Sequence, residues 1–167
     1  IMRSPGQVIV LAEATQEIAY LLRQPPTRAL AVAATSGTAV ADRVDHEYFV
    51  QRLDEPATLL IAARTDGTTN LDVLDFEVHD DHPYKEKKQA RMAKSRILIC
   101  KVTFKQNIGH IGKHVVVAAV HGHHKTMKFE WPTALTAFWD RLAEKIRSRG
   151  VHFLAGDFNM AFTEVNK

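Results

Sequence analysis

The sequence contains little cysteine, no long hydrophobic run and no large excess of either charge. The single cysteine, Cys100, cannot form a disulfide within the chain, which favours an intracellular, reducing compartment without indicating an organelle. Because Cys100 lies in an apolar run, we predict a small buried hydrophobe there and not a reactive thiol. The longest unbroken apolar run, Val115 to Val120, is far shorter than the roughly 20 residues of a membrane-spanning helix, so no membrane span is predicted.

The composition is that of a globular domain with one locally basic stretch. Hydrophobic residues make up 46% of the chain and charged residues 25%, which excludes disorder as the main state. The 167 residues allow one domain with a core, so we predict a single domain over residues 1–167. The net charge is only +3, but six lysine and arginine residues fall between Lys85 and Arg96. This stretch is either a loop that contacts phosphate groups or a solvated loop.

Hydrophobic periodicity predicts a mixed α and β fold in which helices cover a sheet. One helix is predicted from Thr15 to Gln24, and the apolar stripe of Thr133 to Arg149 predicts a longer one. The pattern within Leu71 to His79 indicates a strand with an irregularity in its middle, and Asp80 to Lys94 reads as a long loop. The other predicted strands are short apolar runs, namely Val8 to Leu11, Ala29 to Ala34, Tyr48 to Leu53, Thr58 to Ala63, Ile97 to Phe104, Val115 to Val120 and Val151 to Leu154.

Three of the predicted strands end near a polar side chain that is capable of chemistry. The first strand leads into Glu13, the strand from Val115 leads into His121, and the last strand leads into Asp157. If the three strands share one sheet and one direction, these side chains converge at the carboxyl edge of that sheet, where ligands bind. Two carboxylates and an imidazole suit metal-assisted hydrolysis, although each residue alone is typical of a cap or a turn.

The tetrapeptide Gly156-Asp157-Phe158-Asn159 is the most specific pattern in the chain. In an extended chain Asp157 and Asn159 project from the same face, while Phe158 points to the opposite side, toward a core. Gly156 allows the backbone to turn without a side-chain clash. A carboxylate beside an amide can orient a water molecule and hold a phosphoryl oxygen. The alternative is a turn rich in Asx residues without a catalytic role.

The segment from Arg96 to Asn159 resembles the endonuclease/exonuclease/phosphatase family, in which a strand ending in histidine and a helix precede a strand ending in Gly-Asp-Phe-Asn. Val8 to Ala14 is similar to the family's Leu-Gln-Glu motif, with Ala12 in place of glutamine. The resemblance implies an α+β fold, a partial two-sheet β-sandwich flanked by helices as in the four-layer fold of deoxyribonuclease I. It also implies divalent-metal-dependent hydrolysis of a phosphate ester, and the basic stretch favours a nucleic-acid phosphodiester.

The resemblance also implies a role for each of five residues. Glu13 matches the glutamate that binds the divalent cation, Mg²⁺ or Mn²⁺, for which a carboxylate is a suitable ligand. His121 matches a histidine that, in its charged form, stabilises negative charge on the scissile phosphate. Asp157 matches the residue that orients or deprotonates the attacking water, and Asn159 the residue that contacts the phosphate and helps to place Asp157. Arg96 resembles an arginine that contacts substrate phosphate, although an arginine beside a strand is ordinarily solvated.

Two motifs of the family are absent from this sequence, an N-terminal strand that carries asparagine and a C-terminal Ser-Asp-His motif. We therefore expect an incomplete domain whose first sheet exposes an apolar face, so that either the chain is a piece of a longer protein or something else, such as a protein partner, covers that face. Whether the chain is an enzyme stays open, because the alternative is an inactive remnant of the fold that serves as a structural or docking subunit. His121, His123 and His124 also admit a zinc site, although Cys100 is the only thiol.

Overall fold

The computed structural model describes residues 7–14, 16–23, 47–53, 58–79, 95–122 and 131–159. In chain order these residues form β1 (Val8–Ala14), α1 (Gln16–Arg23), β2 (Tyr48–Leu53), β3 (Thr58–Arg64), β4 (Thr68–His79), β5 (Ser95–Ile108), β6 (Gly112–His121), α2 (Trp131–Arg149) and β7 (Phe153–Asp157). Three predictions concern residues outside the described ranges: the strand from Ala29 to Ala34, the loop from Asp80 to Lys94, and a zinc site that uses His123 and His124.

The strands form two sheets. Sheet A has the strand order β1-β3-β2, and sheet B has the order β4-β5-β6-β7. Neighbouring strands are antiparallel in every pair except β6 and β7, which run parallel. A parallel pair needs a crossover connection, and α2 lies in the chain between these two strands.

The helices and sheets stack in four layers, in the order α1, sheet A, sheet B and α2. One buried cluster joins Leu22 of α1 to sheet A, and a second fills the space between the two sheets. A third cluster joins sheet B to Phe138 and Leu142 of α2. This arrangement confirms the predicted class, an α+β fold built as a partial two-sheet β-sandwich flanked by helices.

Strand β3 shows how the alternation of side chains builds the layers. Leu59, Ile61 and Ala63 belong to the cluster between the sheets, whereas Leu60 and Ala62 belong to the cluster that includes α1. Successive side chains of a strand point to opposite faces, so a strand covered on both sides requires a continuous apolar run. All five side chains are 0% exposed, and complete burial of a leucine or isoleucine contributes about 1.5–3 kcal/mol each.

The irregularity predicted in β4 is confirmed and changes which face the following residues occupy. The register of β4 against β5 shifts between Val73 and Asp75. Such a bulge adds one residue to one strand and moves the later side chains to the other face. As a result Asp75 and Glu77 pair with Ile99 and Ile97, whose side chains belong to the cluster under α2.

A network of ion pairs fastens α2 to β4 on that face. Lys145 Nζ lies 3.0 Å from Asp75 Oδ2 and 3.3 Å from Glu77 Oε2. Arg149 Nε donates to Asp75 Oδ2 at 3.1 Å, and Arg141 Nη1 donates to Glu77 Oε1 at 3.0 Å. Burial alone would raise the pKa of Asp75, but the hydrogen bonds and charges of Lys145 and Arg149 outweigh it and lower this pKa.

Strand β7 differs from its prediction in both position and burial. The sequence predicts a buried strand from Val151 to Leu154, whereas the observed strand is Phe153–Asp157. Phe153 is 54% exposed and Leu154 is 38% exposed. The reason is its place in the sheet, because β7 is an edge strand of sheet B as far as the described residues extend. An apolar run gives the tendency to form a strand but not its position within a sheet.

Cys100 is confirmed as a buried small hydrophobe. Its side chain is 0% exposed and belongs to the cluster between the sheets. Burial, with a smaller contribution from Asp72, raises the pKa of the thiol to about 12, so the reactive thiolate form is suppressed. In the described residues no helix has both the length and the apolar character needed to cross a membrane.

Candidate active site

The register of sheet B brings three of the predicted site residues into one row. Arg96 on β5 pairs with His121 on β6, and His121 pairs with Asp157 on β7. The row lies at the carboxyl ends of β6 and β7, which are parallel to each other. This is the edge of the sheet at which the sequence predicts ligand binding.

Glu13 reaches the same place from the other sheet. The shared sheet on which the sequence argument was conditional does not form, because β1 pairs with β3 in sheet A. The two sheets nevertheless pack so that β1 lies against β6 and β7. Glu13 Oε1 is therefore 3.4 Å from His121 Nε2, and the predicted convergence of the two side chains is observed.

A bulge in β1 turns Glu13 toward the site. The register of β1 against β3 shifts between Leu11 and Ala14, and Glu13 has a φ of 57°. This left-handed backbone conformation is unfavourable for a residue with a side chain and is found most often at functional sites. The carboxylate that results is 64% exposed beside an almost buried imidazole.

Arg96 is buried. The alternative given in the sequence analysis, a solvated arginine beside a strand, is therefore wrong. Its side chain is 1% exposed, and its Nη1 atom lies 2.8 Å from His121 Nδ1. Burial lowers the pKa of Arg96 to about 10, while the nearby charge of Glu13 acts in the opposite direction. Since a pKa of about 10 is well above neutrality, the guanidinium remains charged and places a positive charge directly behind the imidazole.

Asp157 and Asn159 form a turn and not the extended pair that the spacing predicts. Asn159 has a φ of 51°, and its backbone N–H donates to Asp157 Oδ1 at 2.8 Å. Its side-chain Nδ2 donates to the carbonyl oxygen of Gly122 at 3.0 Å, and the Gly122 N–H donates to the carbonyl oxygen of Asp157 at 2.7 Å. The backbone therefore forms the Asx turn that the sequence analysis gave as the alternative. This turn holds the side chains of Asp157 and Asn159 beside the end of β6.

Two glycines allow the backbones of β6 and β7 to approach closely at this turn. Gly156 has a φ of 137°, and a Cβ atom there would overlap the backbone of Val120. A Cβ atom on Gly122 would press on the carbonyl group of Phe158. Glycine is therefore required at position 156 for two reasons, the positive φ and the close approach of β7 to β6. The sequence analysis predicted only the turn.

Trp139 of α2 packs against the turn formed by residues 157–159, a contact that the sequence analysis did not predict. Its ring stacks on Phe158 with centroids 5.9 Å apart and an interplanar angle of 14°. Phe158 lies between Asp157 and Asn159 in the chain, so α2 fixes the turn from its core side. Trp139 is one of the residues of the apolar stripe that predicts α2, but periodicity contains no information about its partner.

The oxygen donors at the site suit a magnesium ion that keeps part of its water shell. Among the residues that the structure describes, no group of three His, Cys, Asp or Glu side chains is close enough to enclose a metal ion. Mg²⁺ commonly binds through one or two carboxylates, with waters and substrate phosphate oxygens as its other ligands. The exposed carboxylate of Glu13 fits that mode of binding.

Comparison with known proteins identifies the fold. No model of a known protein family matches this sequence, and no curated protein matches it. The structure is similar to that of D. rerio TDP2 complexed with a single-strand DNA product, with a TM-score of 0.52 and 19% sequence identity. The chain has the endonuclease/exonuclease/phosphatase fold. The match covers 96% of this chain and 50% of the TDP2 chain, so the sequence spans about half the length of that protein.

Two other solved structures align over most of the chain with lower scores. The human Nocturnin catalytic domain with a bound sulfate anion aligns with 93% of this chain and 52% of its own, at 9% identity and a TM-score of 0.47. An endonuclease/exonuclease/phosphatase family protein from Bacteroides thetaiotaomicron aligns with 93% of this chain and 65% of its own, at 14% identity and a TM-score of 0.43.

Proposed function

We propose that this site hydrolyses a phosphate ester, with water as the nucleophile and Mg²⁺ or Mn²⁺ as the cofactor. The observation that carries the proposal is the convergence of Glu13, His121 and Asp157 from two sheets at one edge of the sandwich. A nucleic-acid phosphodiester is the substrate class we favour, because five basic residues lie in the sequence between β4 and β5 and because TDP2 was captured with a DNA product.

We assign each residue a role that its position supports. Glu13 would hold the divalent cation, which when bound neutralises charge on the phosphate oxygens. Asp157, whose Oδ1 atom is held by the backbone N–H of Asn159, orients the attacking water and accepts its proton. Asn159 donates one side-chain hydrogen to Gly122, and the second hydrogen of its amide group can donate to a phosphoryl oxygen.

His121 lies between these groups and supplies the stabilisation of the transition state. It is 7% exposed, so hydrogen bonds to it form in a setting with little competing water. Its neighbour Arg96 contributes a positive charge that favours an anionic substrate at this edge of the sheet. A phosphate placed between Glu13 and Asp157 would accept a hydrogen bond from the imidazole.

Hydrolysis of a supercoiled plasmid and of a generic phosphodiester tests this proposal, with Mg²⁺ and with a chelator. The expected result is cleavage that requires the cation and falls on the order of 10³-fold or more in Asp157→Ala. Asp140→Ala is the matched control, because it removes an exposed carboxylate on α2 that is not among the candidate site residues. Equal activity of Asp157→Ala and Asp140→Ala would contradict the assigned role.

A second candidate function is a structural or docking subunit without catalytic activity. The exposed side chains of Phe153 and Leu154 favour it, because apolar side chains at a sheet edge are typical of an interaction surface. A folded sample that shows no cation-dependent cleavage of either substrate would support this candidate over the enzyme.

A further inference from the structure

The contact between Arg96 and His121 determines which nitrogen of the imidazole carries its hydrogen. Arg96 Nη1 lies 2.8 Å from His121 Nδ1, and the two side chains belong to residues that are 1% and 7% exposed. An arginine has five N–H groups and no acceptor, so it can only donate in this contact. Nδ1 must therefore offer a lone pair, which leaves the ring hydrogen on Nε2.

The same geometry directs the hydrogen on Nε2 into the site. The Nε2 atom is 3.4 Å from Glu13 Oε1, on the side of the ring away from Arg96. Among the residues that the structure describes, charged groups face the ring from Arg96 on β5, from Glu13 on β1 and, one pairing along the row, from Asp157 on β7. Of these three, only the arginine is a hydrogen-bond donor.

We propose that Arg96 is a positioning residue, whose hydrogen bond to Nδ1 of His121 holds the ring with its Nε2–H directed toward Glu13, the side of the ring on which the phosphate would bind. Arg96 then acts through the histidine. The family resemblance alone implies a different role, direct contact of Arg96 with the phosphate. The hydrogen bond is a property of the folded chain, whereas its benefit to catalysis rests on the proposed function.

The burial of Arg96 supports this assignment. A guanidinium that binds phosphate directly usually offers two parallel N–H groups to the ligand. At 1% exposure Arg96 has almost no surface to present, whereas the carboxylate of Glu13 and the turn of Asp157 are exposed. In other proteins, the hydrogen bond made by one ring nitrogen of a functional histidine sets the tautomer and fixes the ring orientation. Arg96 is placed to do this through Nδ1 of His121.

Nuclear magnetic resonance of the intact chain tests the hydrogen bond without any assumption about activity. With ¹⁵N-labelled arginine and histidine, the expected result is a two-bond nitrogen–nitrogen coupling between an Arg96 Nη atom and His121 Nδ1, with the ring hydrogen on Nε2. A hydrogen on Nδ1, or the absence of that coupling in a folded sample, would overturn the proposal.

Two substitutions then separate positioning from contact with the substrate. Arg96→Gln keeps an N–H donor without the charge, and Arg96→Met keeps neither. If Arg96 positions the histidine, Arg96→Met lowers kcat on the order of 10- to 100-fold with little change in KM, and Arg96→Gln recovers part of that loss. If both variants instead raise KM equally and leave kcat unchanged, Arg96 contacts the phosphate and the proposal is wrong.

The two proposals can fail separately. A wild-type chain that shows the coupling but no cation-dependent cleavage would remove the proposed function and leave the hydrogen bond intact. Circular dichroism of both variants shows whether a loss of activity comes from unfolding. If Arg96→Met does not fold, the coupling in the wild-type chain and the kinetics of Arg96→Gln still decide the question.

Discussion

At the scale of single residues, the unusual backbone conformations coincide with the candidate site. Glu13, Asn159 and Gly156 all have positive φ angles, and each is next to or part of a predicted functional position. Outside the site, the described residues adopt positive φ at Gly109 and Gly150, which lie in turns, and at Gly112, the first residue of β6. For Glu13 and Asn159, which are not glycines, this conformation costs about 1–3 kcal/mol per residue and persists only where the surrounding structure imposes it.

Gly156 provides the sharpest test of the turn. Gly156→Ala adds a Cβ atom where the φ is 137° and where the backbone of Val120 leaves no room, so we expect a loss of about 3 kcal/mol or more in the free energy of unfolding. Gly150→Ala is the control, because its φ is 61° but nothing lies within 4 Å. It should lose only about 1 kcal/mol. Urea denaturation measures both, and equal losses would refute the close approach.

Glu13 should show a trade between stability and function. Glu13→Gly relieves a left-handed conformation at a φ of 57°, so we expect it to gain about 1 kcal/mol in the free energy of unfolding while losing cation-dependent cleavage. Glu17→Gly, in the first turn of α1, is the control and should lose about 1 kcal/mol with activity unchanged. A stability loss in Glu13→Gly would show that its conformation is not strained.

The residue types of the site were readable from the sequence, but their local geometry was not. Asp157 and Asn159 attract attention because a carboxylate and an amide occur together after a strand. The spacing predicted an extended pair, whereas the structure forms a turn closed by Gly122. That turn depends on a contact between residues far apart in the chain, and no local pattern encodes such a contact.

At the scale of elements, α2 supports the site through one aromatic contact. Trp139→Ala removes the stacking on Phe158, and we expect a loss of about 2–3 kcal/mol together with reduced kcat. Trp139 Nε1 is buried and makes no hydrogen bond to the described residues, so Trp139→Phe removes no such bond and keeps an aromatic ring. It should retain most of the stability and activity, as measured by urea denaturation and plasmid cleavage. Equal effects of the two substitutions would argue against the stack.

The ion pairs between α2 and β4 should make stability depend on pH. Because the pKa of Asp75 is lowered, its contribution is complete above the ordinary value of 3.8 and is lost as the pH falls through the lowered pKa. We expect Lys145→Met to lose on the order of 1 kcal/mol at neutral pH, and this loss should shrink once Asp75 is protonated.

Urea denaturation at pH 7 and near pH 3 measures that difference. Arg147→Met is the matched control, because Arg147 is an exposed cation on the same helix at the far side from β4. A deficit in Lys145→Met that is the same at both pH values would show that packing of the lysine side chain, and not its charge, is responsible.

At the scale of the whole molecule, the candidate site exists only when the two sheets are packed together. Glu13 belongs to sheet A, whereas His121 and Asp157 belong to sheet B. We therefore expect Mg²⁺ to bind the folded chain in preference to the unfolded one and to stabilise it. At a free concentration ten times Kd, the gain is about 1.4 kcal/mol.

Thermal unfolding with Mg²⁺, with Mn²⁺ and with a chelator measures this gain. Glu13→Gln should remove the cation-dependent shift without preventing folding, whereas Glu17→Gln, on the exposed face of α1, should retain it. A shift of equal size in both variants would place the cation elsewhere on the protein.

The layers of the fold were predicted more completely than their connections. Periodicity identified both helices and each observed strand, because burial on one or two faces leaves a direct mark on the sequence. It could not show that β1 joins β3 in a separate sheet or that β7 lies at an edge with Phe153 exposed. These properties depend on pairings between distant segments, which local patterns do not specify.

The stack of Trp139 on Phe158 gives the protein an internal optical reporter. The chain has only two tryptophans, and the indole of Trp139 touches the ring that separates Asp157 from Asn159. Any ligand that shifts this turn alters the surroundings of that indole. Its emission wavelength and intensity would then follow occupancy of the site directly, and Trp131→Phe would isolate the signal for titrations with nucleotides, inorganic phosphate or cations.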